Sequence, residues 1–94
     1  MVVRRVAGES MLPGYRPGSL VLARCTTGKL HEGDVVIIFH GGLEKIKRIT
    51  GRRGAEIFVR GDNAAASTDS RQFGWLPVSS VIGKVIWPIV NKPR

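Results

Sequence analysis

Residues Asp34–Arg60 read DVVIIFHGGLEKIKRITGRRGAEIFVR, three β-forming runs separated by glycine. The first run, Asp34–Phe39, is rich in β-branched residues and follows the Glu32-Gly33 turn signal. His40-Gly41-Gly42 then reads as a hairpin turn. The return strand is Leu43–Thr50, on which Leu43, Lys45, Lys47 and Ile49 share one face while Glu44, Ile46, Arg48 and Thr50 share the other. Taken alone, that pattern describes an edge strand with a solvated basic face, since edge strands often carry lysine against aggregation. Gly51–Gly54 makes the next turn and Glu56–Arg60 the next strand.

The same alphabet continues on either side. Ser19–Ala23 is a strand candidate after Pro17-Gly18, and Val81–Val90 is the last. No segment keeps a helical period over ten residues. The expectation is an all-β, mainly antiparallel fold in one domain spanning 1–94, with no linker or repeat. At this length the chain buries only roughly 60 to 65% of its unfolded surface, so the core is thin.

Composition narrows the function. An apolar fraction of 43% and a mean hydropathy of +0.01 belong to a folded globular chain. Fifteen Lys and Arg against seven acidic residues give +8, which invites an anionic partner. The basic residues are scattered, however, and lack the interleaved aromatics of a single-strand nucleic-acid binder. Cys25 stands alone, so no disulfide framework or thiolate metal site is expected, and it reads as a small packed residue. His31 and His40 fall in turns and read as solvated. Trp75 and Trp87 read as core or edge-covering side chains. No apolar run approaches the roughly 20 residues of a membrane span, and Arg4-Arg5 leads straight into Gly8-Glu9-Ser10 without a signal-peptide pattern. The expected location is cytoplasmic or membrane-peripheral, with membrane association only through a partner.

Two further stretches carry chemistry. RVAGESMLPGYRPGSLVLA, Arg5–Ala23, sets Ser10 in a glycine-containing turn. GDNAAASTDSRQFG, Gly61–Gly74, is polar and turn-rich; if it is extended, Ser67, Asp69 and Arg71 face one way, and Asp69 with Arg71 can fix the loop's shape. With a lysine on the Leu43–Thr50 strand, these are the parts of a Ser/Lys hydrolase.

At this point the chain resembles the type I signal peptidases and their relatives, the mitochondrial inner-membrane peptidases and the LexA-like autopeptidases. The resemblance rests on Gly8-Glu9-Ser10-Met11-Leu12-Pro13 with Pro17-Gly18, on Lys47-Arg48, and on Gly61-Asp62-Asn63, Ser67-Thr68-Asp69-Ser70-Arg71 and Phe73-Gly74. Gly83-Lys84-Val85 and Trp87-Pro88 resemble the mitochondrial type in particular. It implies a compact catalytic core without the large extra domain of many bacterial members, since only 13 residues separate Lys47 from Gly61. It implies Ser10 as nucleophile and Lys47 as general base, with Ser67 aiming the lysine, Asp69 and Arg71 bracing the loop, and the backbone N–H of Ser10 as oxyanion donor. Gly8, Met11 and Pro13 would contact substrate. No cofactor or metal is implied. Lys45 shares the face of Lys47, but only Lys47 precedes an arginine as the motif requires. Gly8 stands where many members place a serine that adds a donor to the oxyanion hole, and Ser19 replaces the acidic residue of the family's Pro-Gly-Asp turn. At an ordinary pKa near 10.4 a lysine is neutral only about 0.04% of the time at pH 7, so the base must be desolvated. The implied activity is an endopeptidase that removes a leader or propeptide after small residues; small relatives that mature the precursor of nickel superoxide dismutase are compatible in size. The alternatives are an inert basic β-domain that binds nucleic acid, and a LexA-like self-cleaving regulator. The second would need a cleavage site upstream, where Ala7-Gly8 lies too close to Ser10 to fold back.

Overall fold

The computed structural model describes residues 1–25 and 29–90. Seven strands, β1 (Val2–Arg5), β2 (Leu20–Arg24), β3 (Val35–His40), β4 (Leu43–Arg53), β5 (Glu56–Arg60), β6 (Leu76–Pro77) and β7 (Val81–Trp87), form one sheet in the order β1-β2-β7-β3-β4-β5-β6. Every pairing is antiparallel. The only α-helix among the described residues, α1, is the four residues Ser70–Phe73.

The apolar run in β3 explains how so short a chain makes a core. Val35 and Ile37 pack into one cluster with Val6, Met11, Tyr15, Val21, Ala23 and Val85. Val36 and Ile38 pack into a second with Leu30, Ile49, Ile57, Val59, Leu76 and Val81 on the opposite face. A strand buried on both sides needs a continuous apolar sequence, and VVII supplies it.

Several boundaries differ from the sequence reading. β4 is an edge only over Leu43–Lys47, because β5 pairs with it from Arg48 onward, and its basic face is not wholly solvated: Lys47 and Arg48 are each only 4% exposed. The expected turn at Gly51–Gly54 shrinks to Gly54-Ala55, because β4 runs on to Arg53 through a bulge between Ile49 and Gly51. A Cβ at Gly51 would press on the Trp75 ring at 3.3 Å and on Phe58 Cβ at 3.4 Å, so the bulge brings this backbone close to both side chains. The last strand stops at Trp87, before Pro88, which has no N–H to donate. β1 and β6 were not anticipated. Gly61–Gly74 is not extended either: Ala64–Ala66 forms a 3-10 turn and Ser70–Phe73 the helix.

Single residues are also placed differently. Cys25 is exposed rather than packed. Trp87 is 60% exposed and so is not a core side chain, whereas Trp75 is half-buried with its ring edge-on to Phe58 and under Arg53. His31 is exposed as expected, but His40 closes β3 and stacks on Phe73 with ring centroids 4.1 Å apart.

Candidate active site

The cluster around Ser10 forms a loop between β1 and β2. Its base is tied by Val6 N–H to Ser19 O and Gly18 N–H to Val6 O, both 2.8 Å. Its tip is a turn in which Leu12 N–H donates to Glu9 O and Tyr15 N–H to Met11 O. Met11 and Tyr15, 1% and 2% exposed, drop from this turn into the core, and the Tyr15 hydroxyl donates to Pro88 O at 2.7 Å. The residues beside Ser10 are thus anchors, and they hold it at the surface. Gly8, at φ 74°, makes the bend that leads into it. The peptide before Pro13 is cis.

A second loop, Gly61–Gly74, is laid directly against the first. Asn63 N–H donates to Ser10 O at 2.8 Å and the Asn63 side-chain amide to Glu9 O at 3.1 Å. The approach is close enough that a Cβ on Gly61 would lie 2.7 Å from Ser10 O and 2.7 Å from Ser67 Cβ. Only glycine fits between them.

The lysine comes from β4. Lys47 Nζ donates to Ser67 Oγ at 2.9 Å, and Ser67 Oγ donates in turn to Asp69 Oδ2 at 2.7 Å. Gly61 N–H reaches both Ser67 Oγ (3.2 Å) and Asp69 Oδ2 (2.9 Å). The guanidinium of Arg71 grips Asp69 through Nε to Oδ1 at 2.9 Å and Nη2 to Oδ2 at 3.1 Å. Asp69 also caps α1, accepting from Arg71 N–H, while Gln72 returns a bond to Asp69 N–H in a capping box. One carboxylate, fully buried, therefore organises the loop.

Electrostatics follow from this wiring. Burial pushes the Lys47 pKa down from the ordinary lysine value; Asp69 opposes that, and the positive charges of Lys45 and Arg71 reinforce it. Burial alone would raise the Asp69 carboxyl, but hydrogen bonds from Arg71, Ser67 and the Gly61 and Arg71 amides hold it well below the usual carboxylate range. Next to the lysine, Arg48 forms a bidentate ion pair with Asp62, both bonds 2.9 Å, and donates to Gly33 O and Val90 O as well. Their side chains are 5% and 2% exposed, so this pair locks β4 to the second loop at the lysine's own position.

Ser10, Lys47 and Gly8 line one open groove of about 290 Å³ that also reaches Ile37, Ile46 and Ala66. Among the described residues, Lys47 bonds to Ser67 and not directly to Ser10, and the backbone N–H of Ser10 makes no hydrogen bond. Ser67, Asp69 and Arg71 converge as the sequence reading required, though through a helix cap rather than an extended strand. Met11 lies in the core rather than on the groove wall, and Pro13 is exposed outside it. The positioning roles of Gly61, Asp62 and Asn63 were not read from the sequence; only their place in the Gly-Asp-Asn run marked them.

Chemically, the arrangement presents a hydroxyl and a desolvated amine on one groove. The single proton of Ser67 is engaged by Asp69, so Ser67 can only accept from the lysine. A neutral Lys47 keeps its lone pair free.

Residues 53–90, about two fifths of the chain, match the family described as signal peptidase, peptidase S26. The matched stretch runs from the end of β4 through β7 and contains Ser67, Asp69 and Arg71; Ser10 and Lys47 precede it. No curated protein matches the chain. Over that stretch, and in the all-β sheet that carries it, the chain is similar to the signal peptidases of the S26 family.

Proposed function

We propose that this chain is a serine endopeptidase of signal-peptidase type, with Ser10 as nucleophile and Lys47 as general base. The observation that carries the reading is the buried lysine, held by Ser67 and Asp69 on the same groove as Ser10. Lys47 takes the Ser10 hydroxyl proton as Oγ bonds to the scissile carbonyl carbon, then returns it to the departing amine as the C–N bond breaks. Water, deprotonated by the same lysine, releases the acyl group. The Ser10 N–H, unengaged among the described residues, is the donor for the oxyanion.

Strand edges supply a binding mode. β1 pairs only with β2, and Leu43–Lys47 of β4 pair only with β3, since β5 takes up β4 from Arg48 onward. Both the β1 side and this part of β4 contribute Arg4, Arg5, Lys45 and Ile46 to the groove. An extended peptide or protein segment fits there as an added strand, with backbone hydrogen bonds giving affinity. The small groove suits small side chains before the cut, as the family resemblance implies, and a leader or propeptide is the substrate class proposed. No helix among the described residues is long and apolar enough to cross a membrane.

The test is cleavage of a peptide library read by mass spectrometry for the wild type, Ser10→Ala, Lys47→Ala and Lys45→Ala. The reading requires cuts after small residues that vanish with Ser10→Ala and Lys47→Ala and persist with Lys45→Ala. Cleavage that survives Ser10→Ala would overturn it.

A further inference from the structure

Four basic side chains line the groove, and three of them are occupied. Arg4 grips Glu44 with two bonds, Nε to Oε1 at 2.5 Å and Nη2 to Oε2 at 3.1 Å. Arg5 donates to Gly18 O at 2.6 Å, and Lys47 to Ser67. Lys45 is different. No carboxylate lies within 4 Å of its ammonium among the described residues. The acid beside it in sequence, Glu44, is taken by Arg4.

Its side chain is nonetheless held in place. The Lys45 ammonium sits 5.1 Å from the centre of the Phe73 ring and 3.4 Å from His40 Nδ1, and His40 itself stacks on Phe73. An aromatic face under a cation keeps its charge without consuming it. Lys45 lies two residues from Lys47 on the same strand face, and therefore about 7 Å along the groove wall from the reacting centre. This is the distance of a neighbouring side chain on an added strand.

We infer that Lys45, steadied by Phe73 and His40, is a specificity residue that recognises an acidic side chain of the substrate within three residues of the cut. The inference rests on the peptidase reading for its setting, and it names what that groove selects beyond small side chains. A carboxylate there gives an anionic partner to Lys45, the one groove cation that donates to no oxygen among the described residues. The contact forms on binding and touches neither Ser10 nor the scissile bond, so it acts on KM more than on kcat.

The experiment uses matched peptides that differ only in Asp, Gln or Lys near the cut. For a half-exposed ion pair the expected preference for Asp over Gln is about two- to fivefold in kcat/KM, carried by KM. It should fall in high salt, vanish in Lys45→Gln, persist in Lys45→Arg and turn to favour the Lys peptide in Lys45→Glu. Equal rates for Asp and Gln in the wild type, or a preference unchanged in Lys45→Glu, would overturn the inference. Equilibrium binding of the same labelled peptides by fluorescence anisotropy separates the two proposals. If nothing is cleaved but Asp peptides bind the wild type and not Lys45→Glu, the peptidase reading fails and the recognition by Lys45 stands; charge-blind binding, or none, refutes the latter.

Discussion

Gly61→Ala is the substitution that most sharply separates a positioned site from two loops that happen to be near. Its Cβ would lie 2.7 Å from Ser10 O and from Ser67 Cβ, against about 3.4 Å for an ordinary contact. Neither neighbour can yield alone. Ser10 O is bonded to Asn63 N–H at 2.8 Å, and Ser67 is bonded to Lys47, Asp69 and Gly61 itself. The nucleophile loop and the lysine-holding loop must therefore part by roughly 0.7 Å or distort internally. Overpacking of this kind costs about 1–3 kcal/mol. At about 4–8 °C per kcal/mol for a domain of this size, a cost near 2 kcal/mol lowers Tm by about 8–16 °C. A misplacement approaching 1 Å costs on the order of 10²-fold in rate, so kcat should fall by about 10- to 100-fold in protein that is still folded at the assay temperature. Gly83→Ala is the control: its Cβ would press Ala23 Cβ at 3.1 Å and Arg24 O at 3.2 Å, away from the groove. It should lower Tm and leave kcat alone. Wild-type kcat in Gly61→Ala, or an equal loss in Gly83→Ala, would refute the claim that this glycine sets the distance between the loops.

Other perturbations follow from the same wiring. Asp69→Asn removes a buried charge that accepts from Arg71, Ser67 and two backbone amides, and puts a buried amide NH2 where an acceptor is needed; a loss of about 1–3 kcal/mol is expected by chemical denaturation. Because the folded Asp69 pKa is depressed, its stabilisation is fully present above the ordinary value near 3.8 and is lost as pH falls below it, so the acid-unfolding midpoint should move to higher pH in Asp69→Asn. Arg48→Met strands Asp62 with 2% of its side chain exposed and frees Gly33 O and Val90 O, which predicts a loss of about 3–5 kcal/mol together with lower kcat as β4 loosens at Lys47.

How much of this was legible beforehand depends on range. Glycine punctuation and β-branched runs are local, and they marked β2, β3, β5 and the start of β4 within a residue or two. Whether β4 was an edge or interior strand is a property of its partners. Two lysines on one face argued for a solvated edge; Leu43–Lys47 do keep a free edge, but Lys47 is buried with its amine on Ser67 rather than solvated. β1 escaped notice because VVRR is too short and too charged to read as a strand; its pairing with β2 is what makes it one. Cys25 was misread because its exposure follows from where β2 ends, not from residue type. In the site, the convergence of Ser67, Asp69 and Arg71 was foreseen, but their geometry comes from an N-cap and not from strand alternation. The work of Gly61 was invisible, since a forbidden Cβ is a fact about two loops meeting in space.

The central claim, that Lys47 works as a neutral base, is tested most directly by the pH dependence of kcat/KM from pH 6 to 10 on an uncharged peptide. A protonated lysine cannot accept the Ser10 proton. The account predicts a rate rising tenfold per pH unit to a plateau, with a midpoint below the ordinary lysine value of 10.5 because burial lowers the Lys47 pKa. A flat profile across that range, or a rising limb that persists unchanged in Lys47→Ala, would contradict it.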